Sequence, residues 1–255
     1  MMSQSAAAAQ GMSLIHCQLQ FEVVIRRLTS SMLSRFRRVF SSSVGTKLLM
    51  GLTGLALFAY MILHLAGNAL IFAGPEVFND YSHMLISNPL IIPIELGLLG
   101  IFLVHIYKAI TMWTANQAAR PVGYLKKELA GHTSRKSLSS STMILSGIVI
   151  LVFVIIHVKQ FKFGSWYLTA EGGDVRDLFK TEVEVFANPF WVGLYVIATL
   201  LVGLHLRHGI ASGFQSLGLD HPTYTRRLTM IALMFALLIG VGLAVIPIWV
   251  FLQNR

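Results

Sequence analysis

The chain has 255 residues, 55% of them hydrophobic and only 12% charged. A soluble domain of this length carries about 25% charged residues, so the composition points to an integral membrane protein. The formal net charge of +9 does not imply nucleic-acid binding, because the basic residues fall between apolar runs and form no clustered face. A single cysteine, Cys17, excludes an intrachain disulfide and an all-cysteine iron–sulfur site. C-x-x-C-H, P-loop, G-x-S-x-G and H-E-x-x-H motifs are absent.

In chain order, a basic, Ser-rich and nearly acid-free segment comes first, "FEVVIRRLTSSMLSRFRRVFSSS". It reads as a transit peptide or as an amphipathic helix lying at the membrane surface, with the interfacial helix favoured and a disordered start before it. No cleaved secretory signal is expected. Five apolar spans follow, over Lys47–Ala73, Leu90–Trp113, Thr142–Phe161, Phe190–Gly213 and Leu228–Leu252. Each is about 20 residues or longer, enough to cross about 30 Å of hydrocarbon. The expected fold is therefore all-α: a basic segment over 1–44 and a five-helix transmembrane bundle over 45–255. The longest loop, Lys162 to Pro189, is too short for a separate catalytic domain, so any soluble chemistry must come from a partner.

Lys and Arg set the expected orientation. Arg26, Arg27, Arg35, Arg37, Arg38 and Lys47 precede the first span, and the first loop, "GPEVFNDYSHMLISNP", has neither residue type. The second loop holds Arg120, Lys126, Lys127, Arg135 and Lys136, and Arg207, Arg226 and Arg227 flank the fourth. The third carries Lys159, Lys162, Arg176 and Lys180 among acidic residues and is the weakest vote. The N-terminus, second loop and fourth loop are expected in the cytoplasm, and the C-terminus outside.

Each of the first four spans contains one aligned histidine: His64, His105, His157 and His205. Imidazoles inside a membrane are costly and point to function. His64 and His157, on spans running outward, fall about 22–25 Å from the inner edge; His105 and His205, on spans running inward, fall about 12 Å from it. Two layers of paired histidines suit bis-His ligation of two haems between bundle helices. The competing readings are interhelical hydrogen bonds and a His-lined proton relay or transporter, which would more naturally carry further intramembrane carboxylates than Glu95. Two ligands per layer and no thiolate disfavour zinc. Gly51, Gly54, Gly67, Gly97, Gly100, Gly203 and Gly209 lie near these histidines; close helix approach and room for a bulky ring are both consistent with them.

"ILHLAGN" in the first span, "FNDYSHML" after it, "FLVHIYKA", "IIHVKQ" and "HLRHGIASGFQSLG" appear in an order and spacing that resembles the five-helix, two-haem cytochrome b subunit of succinate dehydrogenases and fumarate reductases. The likeness runs from about Ser43 to the C-terminus and leaves the N-terminal extension unexplained. It implies a multi-pass protein of the bacterial inner membrane, docked on its cytoplasmic face to a flavoprotein subunit carrying FAD and to an iron–sulfur subunit. Two b haems would pass electrons to or from a membrane quinone, menaquinone being favoured. Carried over by position, His105 and His205 ligate the inner haem, and His64 and His157 the outer one. A higher oligomer of the whole complex is left open, and no nucleic-acid partner is expected. The alternatives are an anchor of another quinone-linked enzyme, of hydrogenase or formate dehydrogenase type, and a haem-free transporter.

His208 lies one turn nearer the cytoplasm than His205 and is disfavoured as a ligand. Lys108, Arg207 and His208 are expected near the haem propionates, with snorkelling as the alternative for the two cations. By the resemblance, Glu95 is a candidate for proton handling in quinone turnover. His83, His132 and His221 are expected to be solvated or interface residues, and His16, in the N-terminal segment, offers no case for function.

Overall fold

The structure, a computed structural model, describes residues 42–119, 142–169 and 174–254, with positions 26, 27, 30, 34, 38 and 40 before them. Most of the basic N-terminal segment and of the second loop, including His16 and His132, lies outside the described residues.

Seven α-helices are described: α1 Ser43–Asn68, α2 Pro75–Ile86, α3 Ile91–Ala118, α4 Met143–Phe161, α5 Leu178–Phe186, α6 Pro189–Ser216 and α7 Pro222–Gln253. A 3-10 turn over Ala69–Ala73 extends α1. Helices α1 (with that turn), α3, α4, α6 and α7 are long and apolar enough to cross a membrane, so the chain is a multi-pass, all-helical membrane protein. The described residues contain no strand, only an isolated antiparallel bridge between Leu168 and Arg176.

The spans start and stop where local chemistry dictates. Asn188 accepts a hydrogen bond from Phe190 N at 2.9 Å, and Pro189 occupies the first turn of α6, where its missing N–H costs nothing. His221 is exposed, as expected, and also caps α7: its Nδ1 accepts from Thr223 N at 3.2 Å, and its ring stacks on Tyr224. Gly74, at φ 100°, makes the turn between the 3-10 segment and α2, a backbone conformation that side chains disfavour.

Interhelical contacts give the directions. A Cβ on Gly51 would lie 3.1 Å from Ser216 Cβ, and one on Gly242 would lie 3.0 Å from Leu65 Cδ1. Early α1 therefore meets late α6, and late α1 meets the second half of α7. Helices α1, α4 and α7 run one way; α3 and α6 run the other. The closest approach joins α6 to α7: a Cβ on Gly203 would stand 2.9 Å from Ala236 O and 3.2 Å from Gly240 Cα. Lipid gives apolar helices no hydrophobic reason to associate, so such small-residue contacts, through van der Waals packing, hold the bundle. Leu206, Ile210, Ala232, Ala236 and Ile239 are buried there against α1 side chains such as Phe58 and Ile62. Helix α3 has no buried residue.

Two of the segments read as loops are helical. Helices α2 and α5 lie together over one end of the bundle, called the capped end below, and their apolar faces join a second core of Ile71, Phe78, Phe186, Val192, Tyr195, Ile246 and Val250. His83 therefore sits in the last turn of a helix, not in a loop. Both segments are too short and polar to register as spans, so their helicity depends on docking. Asn79, 4% exposed, joins them. Its Nδ2 donates to Asp177 Oδ1 at 2.9 Å, and its Oδ1 accepts from Phe179 N at 3.0 Å; Asp177 in turn caps α5 through Lys180 N. Asn79→Ala leaves the part-buried Phe179 N–H without its acceptor and removes one of the two donors to Asp177 Oδ1. The expected loss is about 1–3 kcal/mol, seen as earlier proteolysis of the α2 and α5 segments in detergent.

Candidate functional site

Four histidines lie inside the bundle, two toward each end. Nearer the capped end, His64 of α1 and His157 of α4 have ring centroids 5.7 Å apart, with ring planes at 85°. Tyr60 stacks on His64 at 5.4 Å, and its hydroxyl lies 3.3 Å from His64 Nδ1. Asn68 Nδ2 donates to His64 O at 2.8 Å and lies 3.4 Å from the same ring nitrogen. Phe153, Phe161 and Tyr195 surround His157, whose Nδ1 is buried without a hydrogen-bond partner. A dry aromatic pocket around an unsatisfied imidazole is costly unless the ring has other work.

Toward the opposite end lie His105 of α3 and His205 of α6, with His208 one turn beyond His205. Each ring of this pair contacts a hydroxyl on a neighbouring helix. Thr53 Oγ1 of α1 is 3.2 Å from His105 Nδ1, and Ser146 Oγ of α4 is 3.0 Å from His205 Nδ1. The glycine after each hydroxyl lies against the ring: a Cβ on Gly54 would stand 3.3 Å from His105 Cε1, tighter than ordinary contact, whereas one on Gly147 would stand 3.7 Å from His205 Cε1, in ordinary contact. This resolves part of the ambiguity over glycines. Gly54 makes room for an imidazole, whereas Gly51 and Gly203 serve helix approach and Gly67 receives the Tyr81 ring; Gly97, Gly100 and Gly209 would meet nothing within 4 Å.

The donor set fits haem. It consists of four imidazoles from four spans: His64 against His157, whose Nδ1 is unpartnered, and His105 and His205, each against a hydroxyl of another span, with Gly54 close beside His105. Among the described residues, no group of three or more His, Cys, Asp or Glu comes together to hold a metal ion; the arrangement is one of pairs.

The remaining predicted residues are less concentrated. Lys108 Nζ lies 5.7 Å over the Tyr107 ring, Arg207 is exposed and His208 half-buried. Glu95 pairs with Lys162, at the end of α4, with both side chains about half exposed (43% and 46%).

The chain is similar to a cytochrome b subunit of succinate dehydrogenase. The relative is the succinate dehydrogenase cytochrome b558 subunit of Bacillus subtilis (strain 168), 24% identical over 187 residues that cover 72% of this chain and 83% of that protein. No family model matches the chain, and no solved structure does.

Three residues at these sites escape the sequence reading. Thr53 and Ser146 are ordinary helix hydroxyls until their partners are known, although both precede a glycine and both stand eleven residues before a histidine, His64 and His157. Glu182 of α5 had no signal at all, because it lay in an assumed loop. It is 5% exposed, and its Oε2 has no hydrogen-bond partner. Burial pushes its carboxyl up to about 8 from the usual 4.5. The folded chain keeps this proton through a range where the unfolded chain has released it. Stability is thus fully present below about pH 4.5, falls as pH rises toward about 8, and is flat above. The thermal midpoint in detergent should drop between about pH 4.5 and about pH 8, and Glu182→Gln should remove that part of the slope.

Proposed function

We propose that this chain is the membrane-anchor cytochrome b subunit of a succinate:quinone oxidoreductase, binding two b haems. The observation that carries the reading is four histidines from four spans gathered at two levels of the bundle, with His64 against His157. The likeness to a subunit named for cytochrome b and succinate dehydrogenase supports it independently.

Bound haem supplies reversible one-electron exchange between ferric and ferrous iron. His64 and His157 hold one haem, and His105 and His205 the other. With the N-terminus and the second and fourth loops in the cytoplasm, as their Lys and Arg content favours, the His105–His205 pair is the inner one. It lies nearer a docked iron–sulfur subunit and its FAD-bearing flavoprotein partner. The capped end is then outside. Lys108 and Arg207 neutralise propionates at the inner level, and His208 stands at the rim. Glu95 handles the proton of quinone turnover, and Lys162 is the partner it exchanges for that proton. Beside α4 and α5, a cavity of about 420 Å³ has Lys159, Gln160 and Ser165 in its wall; these donors suit the oxygens of a quinone, menaquinone being favoured.

The test is purification of the chain from native membranes with a reduced-minus-oxidised optical spectrum. Two b-type haems per chain, with a flavoprotein and an iron–sulfur protein co-purifying, are expected. A chain without b-type bands sinks the reading, and a metal-centred partner in place of the flavoprotein assigns it to another quinone-linked enzyme.

A further inference from the structure

Helices α1 and α4 carry the same three features at the same spacing. Thr53-Gly54 is followed by His64, and Ser146-Gly147 by His157, with eleven residues from hydroxyl to histidine in both. Eleven residues are about three helical turns, so hydroxyl and histidine share one face, about 16 Å apart along the axis. Each of these helices thus offers a histidine to one pair and a hydroxyl–glycine seat to a ring of the other. The seats are filled by the antiparallel neighbours: His105 on Thr53-Gly54 and His205 on Ser146-Gly147.

The direction of these hydrogen bonds depends on the ring tautomer, and proton counting leaves each hydroxyl free to accept. A hydroxyl has one proton to donate. Thr53 Oγ1 donates it to Leu49 O, one turn back, at 2.7 Å; Ser146 Oγ donates to Met143 O at 3.1 Å. The lone pairs left on each oxygen face an Nδ1 3.0–3.2 Å away. An acceptor there requires the proton on Nδ1, which leaves the Nε2 lone pair free for a ligand.

We propose that Thr53 and Ser146 are positioning residues for the His105–His205 pair, fixing both imidazoles as the Nδ1–H tautomer with Nε2 presented to the haem iron. This rests on the haem reading above. The other pair is held differently: His64 Nδ1 has Tyr60 and Asn68 beside it, at 3.3 and 3.4 Å, and His157 Nδ1 has no partner. Variants at 53 and 146 therefore act on one haem only. An acceptor on Nδ1–H raises the basicity of the ligating nitrogen and favours the ferric state, so its removal raises the midpoint potential.

The experiment is an optical redox titration of the intact complex. The inner haem is identified as the component absent from His105→Ala protein. Thr53→Val and Ser146→Ala should each change the ferric-to-ferrous preference of that component by up to about tenfold, a rise of up to about 59 mV for one electron, while the other component stays in place. Thr53→Ser and Ser146→Thr should restore the wild-type curve. Unchanged potentials in both hydroxyl-deleted proteins overturn the proposal, as does an equal shift of both haems. If Thr53→Val loses the inner haem outright, Thr53→Ser decides: a retained haem at wild-type potential supports the hydroxyl, and a second loss assigns the effect to packing and overturns it. Wild-type protein without haem defeats the proposed function first, so the two failures are separable.

Discussion

His105→Ala and His205→Ala protein is expected to bind one b-type haem where the wild type binds two, each losing the same spectral component. His64→Ala and His157→Ala should lose the other. Each substitution removes one of two axial ligands and leaves the haem held by a single imidazole. Loss of outer-shell support alone weakens metal sites about 10–100-fold, so loss of the ligand itself should leave the affected haem unretained through purification. The measurement is the pyridine haemochrome content per chain with the low-temperature optical spectrum. About half the haem should remain in every single variant, and the double variant His105→Ala/His205→Ala should match its two parents. A pattern that groups His64 with His105, or His208→Ala behaving as His205→Ala does, refutes the pairing. The partner contacts already discriminate between those two histidines: Ser146 bonds to His205, and His208 lies half-buried at the rim.

Gly203→Leu should be the most damaging change away from the histidines. The first atom of any side chain at 203 meets Ala236 O at 2.9 Å and Gly240 Cα at 3.2 Å. Those are backbone atoms and cannot swing aside, so α6 and α7 must separate. Separation opens the core of Ile210, Ala232, Ala236 and Ile239, and lipid offers no hydrophobic drive to close it again. Overpacking of this kind costs about 3 kcal/mol, read as a lower midpoint of thermal unfolding in detergent with loss of haem from the same fraction. Gly193→Ala, on the same helix, meets nothing within 4 Å and should leave the midpoint unchanged or slightly raised, since alanine is the better helix former. Equal behaviour of the two variants shows that the α6–α7 contact does not limit stability.

The sequence alone determined the five spans, because a hydrocarbon core imposes a minimum run of apolar residues and that run is a local property. The structure moves their ends by a few residues and keeps all five. The four intramembrane histidines were legible for the same reason: in an apolar run each imidazole stands out, and helical rise converts its position into depth. Tertiary structure was needed wherever the partner lies on another helix. The α2 and α5 caps have polar sequences, and they form through Asn79 and Asp177, nearly a hundred residues apart. A glycine is the same residue whether it faces a backbone, as Gly203 does, or an imidazole, as Gly54 does. Thr53 and Ser146 satisfy their own helices first and reach His105 and His205 with what remains. Hydropathy and spacing report what a segment needs from its solvent; which side chain meets which across a bundle is set by packing, and no local pattern encodes it.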